Sequence, residues 1–198
     1  LDGIRCVVRK EKDEVIGRTR NGKVIECIPH ILDSLKGFFM AYPNAVLDGE
    51  LYNHEYKDNF NKITSLVRKQ KPVRSAKMTD NAFAKKEKEY QERLDEAKES
   101  IQYWVYDLPR LNGIVSEKTS FDLRSGELKN KLMTNSYVVL VETFEVETES
   151  NLDNLYSQYL GQGYEGQMVR KDASYECKKR SKNLLKRKEF MDAEYTVI

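Results

Sequence analysis

The first 28 residues contain three short runs of branched apolar residues, and these runs constrain the fold more than any other feature. They are IRCVVRK at 4–10, EVIGRTR at 14–20 and KVIECI at 23–28, separated by charged residues or by Asn21-Gly22. Runs of this length and composition are typical of strands, and Asn-Gly is a strong signal for a tight hairpin turn. The pattern predicts an antiparallel meander at the start of the chain.

Beyond residue 28, helical and strand patterns are interleaved without the regular alternation of a parallel, doubly wound sheet. Apolar residues keep helical spacing in five segments, 29–39, 59–69, 82–100, 123–133 and 152–163. Strand-like runs rich in branched or aromatic residues occupy 45–53, 101–109, 137–146, 165–171, 183–190 and 193–198. We therefore predict an α+β domain in which antiparallel sheets are flanked by helices.

The overall composition permits a nucleic-acid partner without requiring one. The 198 residues include 34 Lys and Arg and 32 Asp and Glu, which leaves a formal net charge of +2. Cys6, Cys27 and Cys177 have no metal-ligand spacing, and so sparse and odd a count favours a reducing compartment. The apolar runs are too short to cross a bilayer. We expect a cytosolic domain, a monomer with no membrane segment.

Residues 82–100 are almost entirely Lys, Glu, Gln and Ala, with a narrow apolar stripe at helical spacing. Phe83, Tyr90, Leu94 and Ala97 form that stripe. Such a pattern is typical of a charged surface helix, which we favour over contact with DNA through its lysines.

Five short motifs follow one another along the chain: LDGIR at 1–5, LDGEL at 47–51, YWVYDL at 103–108, EGQMVRK at 165–171 and LLKRK at 184–188. In this order they resemble the motif series of the covalent nucleotidyltransferases, and most closely that of small viral and bacterial ATP-dependent DNA ligases. The resemblance spans essentially all 198 residues. It implies one adenylation domain over 1–198, built from two packed, mainly antiparallel sheets with flanking helices.

The resemblance assigns the phosphate and metal chemistry to the two C-terminal motifs and to LDGEL. Glu165 would be the main carboxylate beside a catalytic Mg²⁺, and Glu50 would contact the ribose or help to organise the metal. Lys186 and Lys188 alternate with Arg187, so a strand would point both lysines to the same side. One lysine would contact the α-phosphate of ATP, and the other would help to balance charge in the transition state.

The remaining assignments concern the nucleoside and the DNA end. Tyr106 matches the aromatic residue that stacks on adenine. Arg5 would bind the ribose or a phosphate, and Arg20 would bind the 5′-phosphate of a nick, with Arg18 as the competing candidate. Gly3 would permit a tight turn beside the nucleotide, and Asp2 is expected to be structural.

The family nucleophile is a lysine directly before the first motif, and this position precedes Leu1. An adenylated lysine or a cut at this point would explain the start of the sequence, and we favour the adenylated lysine. Family members continue into an oligonucleotide-binding fold, which we expect to be absent from these residues.

The function implied by the resemblance is nick sealing in duplex DNA through a lysyl-AMP intermediate. ATP and Mg²⁺ are the expected cofactors, and basic groups within 175–188 are candidates for phosphate contacts. An RNA ligase, or a capping enzyme that uses GTP, would share this chemistry. A nucleotide- or DNA-binding module without catalysis is the alternative if the lysine is truly missing.

Overall fold

A six-stranded sheet forms the centre of the structure, a computed structural model that describes residues 1–111, 114–115, 118–177 and 180–188. Neighbouring strands run antiparallel, except for the last strand, which pairs with the fourth in parallel. In chain order the strands are β1 (Ile4–Glu11), β2 (Glu14–Thr19), β3 (Val46–Tyr52), β4 (Gln102–Leu111), β5 (Ile114–Val115) and β6 (Val138–Leu140), arranged β2-β1-β3-β4-β5 with β6 also beside β4.

A second, two-stranded antiparallel sheet is a hairpin of β7 (Gly166–Arg170) and β8 (Leu184–Lys188). In the described residues the helices are α1 (Pro29–Ser34), α2 (Lys36–Ala41), α3 (Phe60–Val67), α4 (Asp80–Ser100), α5 (Phe121–Lys131) and α6 (Glu149–Gly161), with a 3₁₀ turn at His54–Tyr56. The α+β architecture with mainly antiparallel sheets is therefore confirmed.

Side-chain caps explain where four of these helices begin. The residue directly before each helix accepts a hydrogen bond, through its side chain, from the backbone N–H three residues further along. These residues are Asn59 before α3, Thr79 before α4, Ser120 before α5 and Thr148 before α6. Each cap satisfies a backbone donor that has no partner within its helix.

The hydrophobic core lies against the main sheet. Ile4, Cys6 and Val8 alternate along β1 and are buried, as a strand with one face on a core requires. Helices α1, α2 and α3, together with Leu35 between the first two, contribute to the same cluster, which includes Ile31, Leu35, Phe39, Ile63 and Leu66. These residues keep the helical spacing seen in the sequence.

The predicted third strand of the N-terminal meander is wrong. Asn21-Gly22 does form the tight turn, with Gly22 at a φ of +82° and its N–H bonded to the Thr19 carbonyl at 2.9 Å. After the turn, however, only one bridge forms, between Arg18 and Val24. Ile25, Cys27 and Ile28 are instead buried in the approach to α1, where apolar burial outweighs continued strand pairing.

The strand predicted at 137–146 is much shorter than expected. Only Val138–Leu140 pairs with β4, because beyond Val141 the chain becomes exposed and polar, with Phe144 52% accessible. The strand predicted at 193–198, and the last two residues of the one predicted at 183–190, lie outside the described residues.

Helix α4 matches the predicted surface helix. Ala97 is buried and Phe83, Tyr90 and Leu94 are half-buried, so the apolar stripe faces the protein. Of the three thiols, Cys6 and Cys27 are buried and Cys177 is exposed. Within the described ranges, no helix is long and apolar enough to cross a membrane.

Candidate active site

The hairpin of β7 and β8 brings together three predicted residues. Lys188 is opposite Gly166 and Lys186 is opposite Met168, so the two lysines project from the same face. Lys186 donates to Glu165 Oε2 at 2.6 Å and Lys188 donates to Oε1 at 2.7 Å. One carboxylate therefore pairs with two ammonium groups 21 and 23 residues away, which leaves the trio with a net positive charge.

The charge state of this trio follows from those contacts. Hydrogen bonds from Lys186 and then Lys188 lower the pKa of Glu165 to about 2, so the carboxylate is ionised at neutral pH. The same contact raises the pKa of Lys188, with a smaller contribution from Asp2. The Glu165 side chain is 42% exposed, so it is open to a ligand. Asp2 also connects this hairpin electrostatically to the start of the chain.

Gly166 is required for the hairpin to close. A Cβ at this position would lie 2.1 Å from the Arg187 carbonyl oxygen, and the residue has a φ of +158°. Only glycine accommodates both the backbone angle and this approach. The Glu-Gly pair therefore places Glu165 at the mouth of the hairpin, beside the ends of the two lysines.

A second cluster surrounds Asp48, which is 1% exposed. Arg5 binds it with two parallel hydrogen bonds, Nε to Oδ1 at 2.9 Å and Nη2 to Oδ2 at 2.6 Å. The hydroxyl of Tyr175 donates to Oδ2 at 2.7 Å, and that of Tyr106 donates to Oδ1 at 3.3 Å. This bidentate geometry fixes the plane of the guanidinium and raises the pKa of Arg5.

Two predicted residues, Arg5 and Tyr106, thus meet at a carboxylate that the sequence analysis did not select. Burial, followed by the charge of Asp48, raises the pKa of Tyr106, which keeps its phenol neutral. In the sequence analysis, Asp48 is only a member of the LDGEL motif, and neither Asp48 nor Tyr175 is assigned a role. The available signal was the alternation within LDGEL, which points Asp48 and Glu50 to the same face of one strand.

Glu50 lies opposite Arg5 in the pairing of β1 with β3. Its Oε1 accepts a hydrogen bond of 3.0 Å from the Gly3 N–H, and burial raises its pKa. A Cβ on Gly3 would lie 2.3 Å from the Leu51 carbonyl oxygen. Gly3 therefore allows the LDGIR segment to approach the strand that carries Glu50.

The structure distinguishes the two candidate arginines of β2. Arg18 is bound by Glu11 through two hydrogen bonds of 2.7 and 2.6 Å, and it also donates to the Gly22 carbonyl at 2.8 Å. Arg20 is exposed and has no ion pair among the described residues. Thr19 lies opposite Cys6 in the antiparallel pairing of β1 and β2, so the next residue, Arg20, lies at the end of β2 that is beside Arg5. Arg20 is therefore the one available to bind an external phosphate.

A third cluster, also absent from the sequence analysis, joins the hairpin to the main sheet. Asp107, on β4, is fully buried and accepts hydrogen bonds from Arg124 on α5 at 2.8 and 3.2 Å. Arg170, on β7, forms an ion pair with the same carboxylate. Arg124 additionally donates to the Ala173 carbonyl at 3.1 Å. These contacts attach the strand that follows Glu165 to the central sheet.

The carboxylates suit a magnesium ion shared with a bound phosphate. Within the described residues there is no group of three or more His, Cys, Asp or Glu that could hold a metal by itself. Mg²⁺ is usually held by one or two carboxylates together with substrate phosphates, not by an all-protein cage. The exposed and ionised Glu165 provides oxygen donors of that kind, and the resemblance implies such an ion.

Residues 1–188 match the family model described as the ATP dependent DNA ligase domain. The chain belongs to this family. The ATP-dependent DNA ligase domain spans nearly the whole sequence and includes both the LDGIR segment and the β7–β8 hairpin. No curated protein matches the chain at a significant level.

Solved DNA ligases share the fold of this ligase domain. A structure of Lig E DNA ligases is 24% identical, with a TM-score of 0.62, covering 96% of this chain and 59% of the other. The Chlorella virus DNA ligase-adenylate is 21% identical, with a TM-score of 0.63 and coverages of 98% and 60%. The ligase domain of LigD from M. tuberculosis is 18% identical, with a TM-score of 0.59 and coverages of 94% and 52%. The chain thus spans between half and three fifths of these structures.

Proposed function

We propose that this chain is the adenylation domain of an ATP-dependent DNA ligase that seals nicks in duplex DNA through a lysyl-AMP intermediate. The observation that carries the proposal is the Glu165 carboxylate held between Lys186 and Lys188 on an exposed hairpin face. In a domain of this family, such a trio provides two cations for phosphates and one carboxylate for a metal.

Binding of ATP would change the contacts among Glu165, Lys186 and Lys188. A triphosphate carries several negative charges and competes with Glu165 for the ammonium groups of Lys186 and Lys188. When the lysines turn to the phosphates, both oxygens of Glu165 become available, and they stay ionised at neutral pH because an ordinary glutamate has a pKa of about 4.3. A bound Mg²⁺ would supply further positive charge at the crowded phosphorus.

The Asp48 cluster would hold the nucleoside. Asp48 and the Tyr175 hydroxyl together use three of the five N–H groups of Arg5, so the two on Nη1 remain for the ribose or the α-phosphate. Tyr106 would stack on adenine while its hydroxyl bond to Asp48 limits rotation of the ring. Glu50, opposite Arg5 in the ladder, would contact the ribose. Arg20 would bind the 5′-phosphate of the nick.

The attacking amine would come from the lysine that the family motif places directly before Leu1. Its nitrogen forms a bond to the α-phosphorus as the bond to pyrophosphate breaks. An ordinary lysine has a pKa of about 10.4, so neighbouring cations must favour its neutral form. AMP is then transferred to the 5′-phosphate, and the 3′-hydroxyl displaces it to close the strand. We also propose that the enzyme is a cytosolic monomer that acts in DNA replication, repair or recombination.

Intact mass and N-terminal peptide mapping of the natural protein would test this proposal. After incubation with ATP and Mg²⁺, we expect a peptide that continues upstream of Leu1 into a lysine and is heavier by one AMP. A different residue before Leu1 would contradict the proposal. Competition between nicked duplex DNA and single-stranded RNA for the adenylated protein would separate a DNA ligase from an RNA ligase.

A further inference from the structure

The connection between α3 and α4, residues 68–79, carries an excess of positive charge that lies outside the candidate active site. It contains five Lys and Arg and no Asp or Glu. It has no regular secondary structure, and most of its side chains are exposed. We call it the basic segment. Helix α4, directly after it, has seven acidic and five basic residues, so the concentration of positive charge ends with the segment.

Two hydrogen bonds hold the basic segment against the chain that leads away from the Asn21-Gly22 turn. The Cys27 thiol donates to the Lys69 carbonyl at 2.9 Å, and the Lys71 N–H donates to Glu26 at 2.6 Å. These contacts use the backbone of the segment and leave its long side chains free to point outward. The segment is therefore attached to residues 26 and 27, which follow shortly after the turn that carries Arg20 and Lys23.

Most of the cations of this surface have no anionic partner within the protein. Across the described ranges, no ion pair involves Arg20, Lys23, Arg68, Lys71 or Lys77, while Arg74 pairs with Asp80. Lys69 lines a shallow depression with acidic residues of α4, so it is partly compensated. Unpaired cations that share one surface attract a polyanion.

We propose that the basic segment and the adjacent turn at 20–23 contact the phosphate backbone of the duplex next to the nick. This inference rests on the proposed function, since Arg20 would bind the 5′-phosphate and the basic segment would extend the contact along the strand. Duplex DNA presents a charge about every 1.7 Å along its axis, so a string of separated lysines matches it without reading sequence. Helix α4, with its mixed charges, is not part of this surface.

The test compares two double variants of the full-length natural protein. Lys71→Gln with Lys77→Gln removes two charges from the basic segment. The control, Lys85→Gln with Lys86→Gln, removes two equally exposed charges from α4, which also form no ion pair within the described chain. Fluorescence anisotropy with a nicked duplex at 50 to 200 mM salt gives the affinity and its salt dependence. AMP attachment from ATP is measured on the same samples.

Each phosphate contact contributes about 0.9 to the slope of log affinity against log salt. The segment variant should therefore bind more weakly at 50 mM salt. Between 50 and 200 mM salt, the factor by which its affinity falls should be about ten times smaller than for the natural protein. The α4 control should keep the natural slope, and both variants should accept AMP normally. An unchanged slope in the segment variant, or an equal change in the control, would overturn the inference while AMP attachment still upheld the proposed function. Loss of AMP attachment in the natural protein would instead count against the proposed function.

Discussion

Asp107 and Arg124 form an ion pair that is closed off from solvent, with both side chains at most 2% exposed and Nε to Oδ1 at 2.8 Å. The same carboxylate binds Arg170 at the end of β7, so one buried anion holds a helix and the β7–β8 hairpin to the central sheet. Interactions of this kind are costly to break, because the remaining charge stays buried without a partner.

We expect Asp107→Asn to lower the free energy of unfolding by about 3–5 kcal/mol, since Arg124 would be left uncompensated in the interior. Thermal or urea unfolding followed by circular dichroism would measure the change. Asp153→Asn is the matched control, because it breaks the exposed pair of Asp153 with Arg187 and should cost about 1 kcal/mol or less. Equal losses in the two variants would contradict the argument.

The pH dependence of Glu165 should reveal its two lysine partners. Its pKa in the folded protein, about 2, lies below the unfolded value of about 4.3, so the ion pairs stabilise the fold above the unfolded value. That contribution is lost as the pH falls from the unfolded value through about 2. A carboxyl NMR titration should give a low midpoint for Glu165, and Lys186→Gln with Lys188→Gln should return it to the ordinary range.

Glu11 provides an internal control for that titration. Arg18 and Arg9 lower its pKa to about 2 as well, but it lies at the far end of β1 from Arg5. Addition of ATP and Mg²⁺ should shift the carboxyl resonance of Glu165 and leave that of Glu11 unchanged. An unchanged Glu165 resonance would contradict the release of Glu165 by the lysines, and an equal shift of both resonances would show that the effect is not specific to Glu165.

The sequence was sufficient to predict those parts of the site in which residues close together in the chain project from the same face of one strand. Lys186 and Lys188 are two positions apart, so a strand places them on one face whatever surrounds it. The motif order then predicted that Glu165 belongs with them. The strand that carries Glu50 was predicted from its run of branched and aromatic residues, and Glu50 itself from the LDGEL motif.

The missed residues are those whose partners are distant in the chain. Arg5 and Asp48 are 43 positions apart, and Tyr175 is 127 positions from Asp48. Arg170 is 63 positions from Asp107. A single sequence contains no signal for such pairings, because each depends on how the sheets are assembled. The third predicted strand failed for a related reason, since Ile25 and Ile28 gain more from burial in the core than from strand pairing.

If Tyr106 stacks on adenine, its ring should matter more than its hydroxyl. Tyr106→Phe removes only a 3.3 Å hydrogen bond to Asp48 and should leave ATP binding nearly unchanged. Tyr106→Ala should weaken ATP binding by about 1–3 kcal/mol, the usual contribution of one base stacked on an aromatic side chain. Isothermal titration calorimetry would separate the two. Equal losses in both variants would assign the role to the hydroxyl and to Asp48 instead.

Gly166→Ala should disrupt the candidate site more than its small size suggests. The new methyl group would meet the Arg187 carbonyl, so β7 and β8 would have to separate and the lysines would move away from Glu165. We expect loss of AMP attachment and a higher pKa for Glu165. Gly126→Ala in α5 is the matched control, because nothing lies within 4 Å of the added carbon and alanine favours a helix. It should leave AMP attachment intact and raise stability by up to about 1 kcal/mol. Normal AMP attachment by the Gly166 variant would show that the close pairing of the two strands is not needed to position the lysines.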